Sequence, residues 1–307
     1  MDADRHKRPD RLAGLRRFAI TISIFNILGH TVFGFEQSWA HPLAAIATAY
    51  CVELLLEYIE ARARGRTPKY AGSLRKFVEF LLPAHISALA ISMLLYSNER
   101  ILPLCFAVAV AIGSKAIFRA PFGNTTCHFF NPSNFGITIT LLLFPWVGVA
   151  PPYHFTENLF GVADWILPGL ILVSGTFINA RFTGKLPLVA GWLGGFVLQA
   201  LLRSLIFGTP FVAALLPMTG LAFILYTFYM VTDPATTPIG KRAQIAFGAS
   251  IAGVYGLLLV LHVAFTLFFA LTIVSLIRGL SLYWVALISR RGNAQSSVPT
   301  PVALGTN

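Results

Sequence analysis

Residues 101–150 read ILPLCFAVAVAIGSKAIFRAPFGNTTCHFFNPSNFGITITLLLFPWVGVA, two apolar runs around an interior from Gly113 to Gly136. That interior is too polar for a membrane span and too apolar for an ordinary loop. At bilayer depth an unpaired backbone group finds no water, so such a stretch occurs where it lines a cavity or holds a ligand. A second one, TDPATTPIG over 232–240, follows an apolar run interrupted by Pro217 and Gly220. In each a proline follows an Asx residue, Asn131-Pro132 and Asp233-Pro234, a pairing that starts a turn or a half-helix. Interrupted segments at similar points of two halves point to a binding site between internal repeats. Two ordinary loops with Asx-Pro caps are the alternative.

The rest of the chain has the same apolar character. Of its 307 residues 56% are hydrophobic and 11% charged, where soluble domains run at roughly 45–50% and 25%. With a mean hydropathy of +0.72, a soluble core cannot hide that excess. Collagen-like, disordered and disulfide-scaffold classes are excluded by 25 glycines, the apolar fraction and only three cysteines. Runs long enough to approach the roughly 20 residues of a membrane crossing fall at 18–35, 42–59, 77–96, 101–114, 136–150, 164–180, 186–207, 211–231, 244–262 and 264–288. The expected fold is an all-α integral membrane protein of about ten transmembrane helices.

A net charge of +11 suggests nucleic acid in a soluble protein, but the positions of the charges remove that partner. Six basic residues precede Phe18 (Arg5, Lys7, Arg8, Arg11, Arg16, Arg17), and six more lie between Arg62 and Lys76. Others come in pairs between apolar runs: Lys115/Arg119, Arg181/Lys185, Lys241/Arg242 and Arg290/Arg291. Ten spans put all of these on one side, leaving only Arg100, Arg203 and Arg278 of the 23 Lys and Arg outside it or within a span. By the positive-inside rule that side is the cytoplasm. The expectation is a multi-pass protein of the cell inner membrane with both termini cytoplasmic and the lipid bilayer as its surroundings. Its divisions are a basic N-terminus (1–17), a first membrane repeat (18–150), a second (151–291) and a disordered tail (292–307). The run from Phe18 to Phe35 is long for the core of a cleaved secretory signal, and Ser38-Trp39-Ala40 is a poor cleavage site, so an uncleaved first span is expected. Arg16-Arg17 lacks the flanks of a twin-arginine signal.

Two blocks carry a family resemblance. AVAIGSKAIFRAPFGNTTCHFFNPSNFGITITLLLFP (109–145) resembles the Lys-then-FNP segment of the RnfD/NqrB family, membrane subunits of flavin-linked redox pumps. FYMVTDPATTPIGKRAQIAFGASIAG (228–253) resembles that family's TDPVT…I-F-G-A segment, in the same order and spacing. HFFNPSNFG, APPYHFTEN and the compact length are most similar to its UnbU-type members, which accompany enediyne biosynthesis. The resemblance implies two inverted five-helix repeats with re-entrant half-helices around a central cavity. It also implies other membrane or redox subunits as partners. In the pumps such a subunit carries FMN linked to a Thr on the loop before the sixth span. Here that loop, PPYHFTENLFGVAD (151–164), has Thr156 alone and lacks the motif, while Ser174-Gly175-Thr176 falls inside a span. The covalent FMN-threonine site is therefore expected to be absent, leaving non-covalent FMN or riboflavin as the implied cofactor.

Within this resemblance Lys115 occupies the family's Lys position, where a cation suits a phosphate or a flavin edge, with a snorkelling anchor as the alternative. Asn131, Ser133 and Asn134 offer uncharged donors and acceptors for a ligand or for local capping. Thr232, Asp233 and Thr236, with Thr237 beside them, can line the second turn, or Asp233 can cap a following half-helix. Among intramembrane acids, Glu57 is placed to pair with Arg62 or Arg66, while Glu53 marks an ion or proton route. Glu79 and His85 share the third span. His30, His85 and His262 read as hydrogen-bonded structural groups, and Cys51, Cys105 and Cys127 lack metal spacing, so no metal or iron–sulfur site is expected. No dinucleotide, Walker, zincin or nucleophile-elbow motif occurs, so no self-contained catalytic residue is assigned. The expected function is a membrane subunit of flavin-linked electron transfer, accessory to enediyne-type biosynthesis. A transporter or channel for a small solute, ion or product is the alternative, and a structural scaffold is the third reading.

Overall fold

A computed structural model describes residues 11–122, 125–151, 155 and 157–296. The first helix, α1 (Arg11–Leu28), carries Arg16 and Arg17 on its opening turns, so the basic segment overlaps the helix rather than ending before it. RLAGLRR contains strong helix formers and no proline to delay the start. Next come α2 (Ala40–Ala63), α3 (Leu74–Leu94), α4 (Ile101–Ile117) and α5 (Pro132–Leu143). The second half comprises α6 (Ile166–Ile178), α7 (Leu186–Phe207), α8 (Phe211–Leu215), α9 (Leu221–Leu225), α10 (Lys241–Val260) and α11 (Thr266–Ser296).

Among the described residues, seven helices are long and apolar enough to cross a membrane: Leu12–Phe33, Ala40–Ala63, Leu74–Leu94, Gly161–Thr183, Leu186–Phe207, Lys241–Val260 and Thr266–Ile288. The chain is thus a multi-pass, all-α membrane protein. A bent pair, Phe211–Thr219 and Leu221–Met230, turns by 69° at Gly220 and makes an eighth if counted as one span. The break lies where Pro217 denies the helix a backbone donor. The other two expected spans are the shorter helices α4 and α5, about 25 and 18 Å long at 1.5 Å per residue, less than the hydrocarbon thickness. The polar interior between them contains a hairpin, β2 (Arg119–Phe122) with β3 (Thr125–His128). It follows β1 (Leu95–Tyr96), which pairs with β4 (Gly148–Val149). The tail expected to be disordered from Gly292 is helical as far as Ser296, because α11 propagates through Ala294 and Gln295; residues 297–307 lie outside the described residues, as do 1–10.

The first crossings of the two halves end alike. Gly29–Phe33 and Asn179–Thr183 are π turns, each closed by a left-handed glycine, Gly34 (φ 80°) and Gly184 (φ 64°). In both, the glycine N–H and the following residue's N–H return to one carbonyl, that of Gly29 or Asn179. This satisfies helix-end acceptors that would otherwise be stranded. Lipid offers no apolar driving force between helices, so close packing must hold them. On α7 and α10, Gly191 and Gly248 let the backbones meet, and an added Cβ at either would enter the partner helix's main chain.

The basic loops converge at one end of the bundle. Arg16 and Arg75 both bind Glu79, Arg17 lies over the Phe182 ring at 4.1 Å, and Tyr283 donates to the Arg119 carbonyl. At the other end His41 reaches the Asn98 carbonyl, Asn158 N–H reaches Phe33, and Arg100 faces Trp146. Of the basic groups read from the sequence, Arg16, Arg17, Arg75 and Arg119 make these contacts at the first end, and Arg100 is at the other.

Candidate functional site

The two polar stretches meet. Asn131 caps α5, its Oδ1 accepting the Asn134 N–H at 2.9 Å and the Ser133 hydroxyl at 2.9 Å. Its Nδ2 is thereby turned outward, to the Met230 carbonyl at 3.3 Å and Asp233 Oδ2 at 3.4 Å. Asp233 holds its own turn: Oδ1 accepts the Ala235 N–H at 2.9 Å, and Oδ2 accepts from Thr236 Oγ1 at 3.2 Å. Residues 234–240 form turns rather than a half-helix, because the Asp233 side chain bonds two residues ahead as an Asx turn and Pro238 follows. Thr237 donates to the Asp233 carbonyl, and fully buried Thr232 donates back to Phe228.

The junction does not arise from equivalent points of the halves. Asn131 precedes α5, whereas Asp233 falls between α9 and α10, which are the third and fourth segments of their half when the bent α8–α9 pair counts as one. Packing of α5 on α11 supports it instead. Asn134 Nδ2 donates to the Phe268 carbonyl at 3.0 Å and Thr272 Oγ1 at 2.8 Å, and Thr138 shares both partners.

Two cations face this junction. Lys185, only 3% exposed, donates to the Pro238 carbonyl at 2.7 Å. Arg278 on α11 donates to the Thr236 carbonyl at 2.7 Å. The π turn at Asn179–Thr183 and Gly184 swing Lys185 inward as the residue before α7, while the Asn179 amide bridges Gly175 and Phe228. Burial and the Arg278 charge lower the Lys185 pKa to about 8 despite the opposing pull of Asp233. One hydrogen bond on each cation among the described residues leaves further N–H donors for an anion.

Lys115 is engaged elsewhere. It pairs with Glu53 on α2, both side chains being about 15% exposed. Glu57, expected to find Arg62 or Arg66, accepts from Arg66 and also from the backbone and ammonium of Lys69. His85 joins Ser23 at 2.8 Å to Tyr50 at 2.9 Å. Since Ser23 gives its proton to the Ala19 carbonyl, it accepts from His85 Nε2, and Tyr50 donates to Nδ1. These three side chains lie on an α1–α3 groove of about 610 Å³, with Arg16 and Glu79 also lining it.

Thus Asn131, Ser133, Asn134, Thr232, Asp233 and Thr236 cluster around one junction, and Lys115 is bonded outside it. Lys185 and Arg278 were missed. A charged residue inside a span was the available signal for Arg278; Lys185 looked like any loop cation. Thr156 lies outside the described residues. No family model matches the chain, and no curated protein matches it.

Proposed function

We propose that the chain is an RnfD/NqrB-like subunit associated with flavin-linked electron transfer, holding FMN non-covalently and serving enediyne-type natural product biosynthesis. Ten membrane-entering segments form two inverted repeats of five in this reading, with α4, α5 and the bent α8–α9 pair as the re-entrant or broken members. Matching π-turn and glycine ends of α1 and α6 support the repeats, and the one-sided basic layer supports cytoplasmic termini in the inner membrane. The observation that carries the reading is the buried meeting of Asn131 and Asp233 beside Lys185 and Arg278.

The residues present fit FMN better than riboflavin, because the two cations retain donors for a phosphate while the nearby Asp233 carboxylate is engaged by Asn131, Ala235 and Thr236. Lys185 and Arg278 would hold the anion, while Asn131 and Thr236 hold the Asp233 carboxylate in its turn. Bound flavin supplies one- and two-electron chemistry, for which partner redox subunits are needed. The chain purified in mild detergent is expected to be yellow, and acid precipitation to release the colour to the supernatant. Colour retained in the pellet overturns the non-covalent assignment. A colourless protein that does not take up added FMN, but carries solute across liposomes without a redox partner, selects the transporter reading.

A further inference from the structure

The groove of about 610 Å³ between α1 and α3 continues, at the basic end of the bundle, into an opening of about 520 Å³ lined by Arg16, Leu74, Arg75, Val78 and Glu79. Arg16, Val78 and Glu79 line both, so the two make one path with a charged mouth and an apolar floor. Along that floor Ile20, Ile24 and Ile27 of α1 face Val78 and Leu82 of α3. From Arg16 to Ile27 the α1 wall descends about 16 Å at 1.5 Å per residue, close to one leaflet's half of a roughly 30 Å hydrocarbon layer.

Three polar side chains interrupt the floor, but their protons are already placed. Ser23 donates to the Ala19 carbonyl at 2.7 Å, His85 to Ser23 at 2.8 Å and Tyr50 to His85 at 2.9 Å. A ligand carbonyl at that depth finds no donor, whereas an aliphatic chain needs none. The mouth is different. Arg16 Nη2 and Arg75 Nε both donate to Glu79 Oε1, the second at 2.8 Å. Two guanidiniums against one carboxylate leave one positive charge in excess and N–H donors beyond those Glu79 can accept. The Arg75 side chain is 76% exposed and so within reach of a headgroup.

We propose that this path holds one anionic phospholipid, its phosphate on Arg16 and Arg75 and an acyl chain lying between α1 and α3. A zwitterionic lipid brings its own cation to the two arginines and is disfavoured. The site uses none of the residues of the Asn131–Asp233 junction and does not depend on the flavin reading.

The test is native mass spectrometry of the full, delipidated chain in detergent, titrated with dioleoyl phosphatidylglycerol or dioleoyl phosphatidylcholine. One phosphatidylglycerol is expected to stay bound at concentrations where phosphatidylcholine does not. Arg75→Gln leaves Arg16 on Glu79 but removes the excess charge, and should weaken phosphatidylglycerol about fivefold while sparing phosphatidylcholine. Ile24→Trp should fill the groove and weaken both lipids. Both positions are exposed, so neither change disturbs the packed core, and Leu198→Trp on the exposed face of α7 should alter nothing. Glycerol 3-phosphate should not displace the bound lipid. Equal retention of the two lipids, or binding unaltered by Arg75→Gln or Ile24→Trp, overturns the proposal. Displacement by glycerol 3-phosphate also overturns it and makes the mouth a site for a soluble anion.

Discussion

Half-buried Lys115 and buried Lys185 both lie next to helix ends, yet their surroundings differ. Lys115 has a carboxylate partner, Glu53, reaching across from α2. Lys185 donates to a carbonyl and shares its surroundings with Arg278 as well as Asp233. A matched ion pair holds two helices together and has little left to offer a ligand. A buried cation beside a second cation is held at a cost to folding that an arriving anion relieves. The lysine suggested by the resemblance is thus held in an ion pair with Glu53, and the lysine that resembled a loop anchor lies beside Asp233 and Arg278.

The strongest way to break this contrast is to remove partners singly. Lys115→Met alone should destabilise the detergent-solubilised chain by about 3–5 kcal/mol, because it strands Glu53. Glu53→Leu combined with Lys115→Met should recover to within about 1 kcal/mol in a double-mutant thermal unfolding cycle. Equal losses in the single and double variants would show that the pair is not the reason.

Lys185 should respond to pH with a defined sign. Its folded pKa is about 8 against 10.5 for the ordinary side chain, so between those values the unfolded chain binds the extra proton. Stability should then rise as pH increases from about 8 to 10.5, by up to about 3 kcal/mol. FMN affinity should fall over the same range as the cation discharges. Lys185→Met should flatten the stability profile and weaken FMN binding; a flat wild-type profile would contradict its buried charge.

A smaller effect is expected from Asn131→Ala, which removes the α5 cap and the link to Asp233. About 2 kcal/mol should be lost, with faster amide exchange in both the 130–136 and 230–238 segments. Exchange confined to the first segment would separate the two stretches. Smaller still, Gly184→Ala should cost about 1 kcal/mol for its left-handed backbone, since an added Cβ meets nothing within 4 Å. Gly34→Ala should cost more, because its Cβ would also strike Asn158. Equal melting temperatures for the two variants would remove that difference between the helix ends.

Much of the fold was legible because lipid imposes a coarse rule on sequence. The seventh run, 186–207, coincides with α7. The Asx-Pro stretches were legible because only a ligand or a matching polar partner makes them tolerable at depth; the partner proves to be the other stretch. The hairpin was hidden by Pro121 and by the helical character of its flanks, although Gly123-Asn124 is a hairpin dipeptide. Lys185 was hidden because its burial depends on a π turn and on Asn179 reaching Phe228, neither of which leaves a periodic trace.

The central claim is that residues 131 and 233, from the two halves, adjoin in the folded chain. Its most direct test is cross-linking of Asn131→Cys with Asp233→Cys by a short bis-thiol reagent, after Cys51, Cys105 and Cys127 are changed to Ser. Rapid, near-complete intramolecular linkage in native membranes is predicted, with little linkage between Cys replacements at Lys115 and Asp233. Failure of the 131–233 pair to link, while a control pair at Ser23 and His85 links readily, would contradict the account.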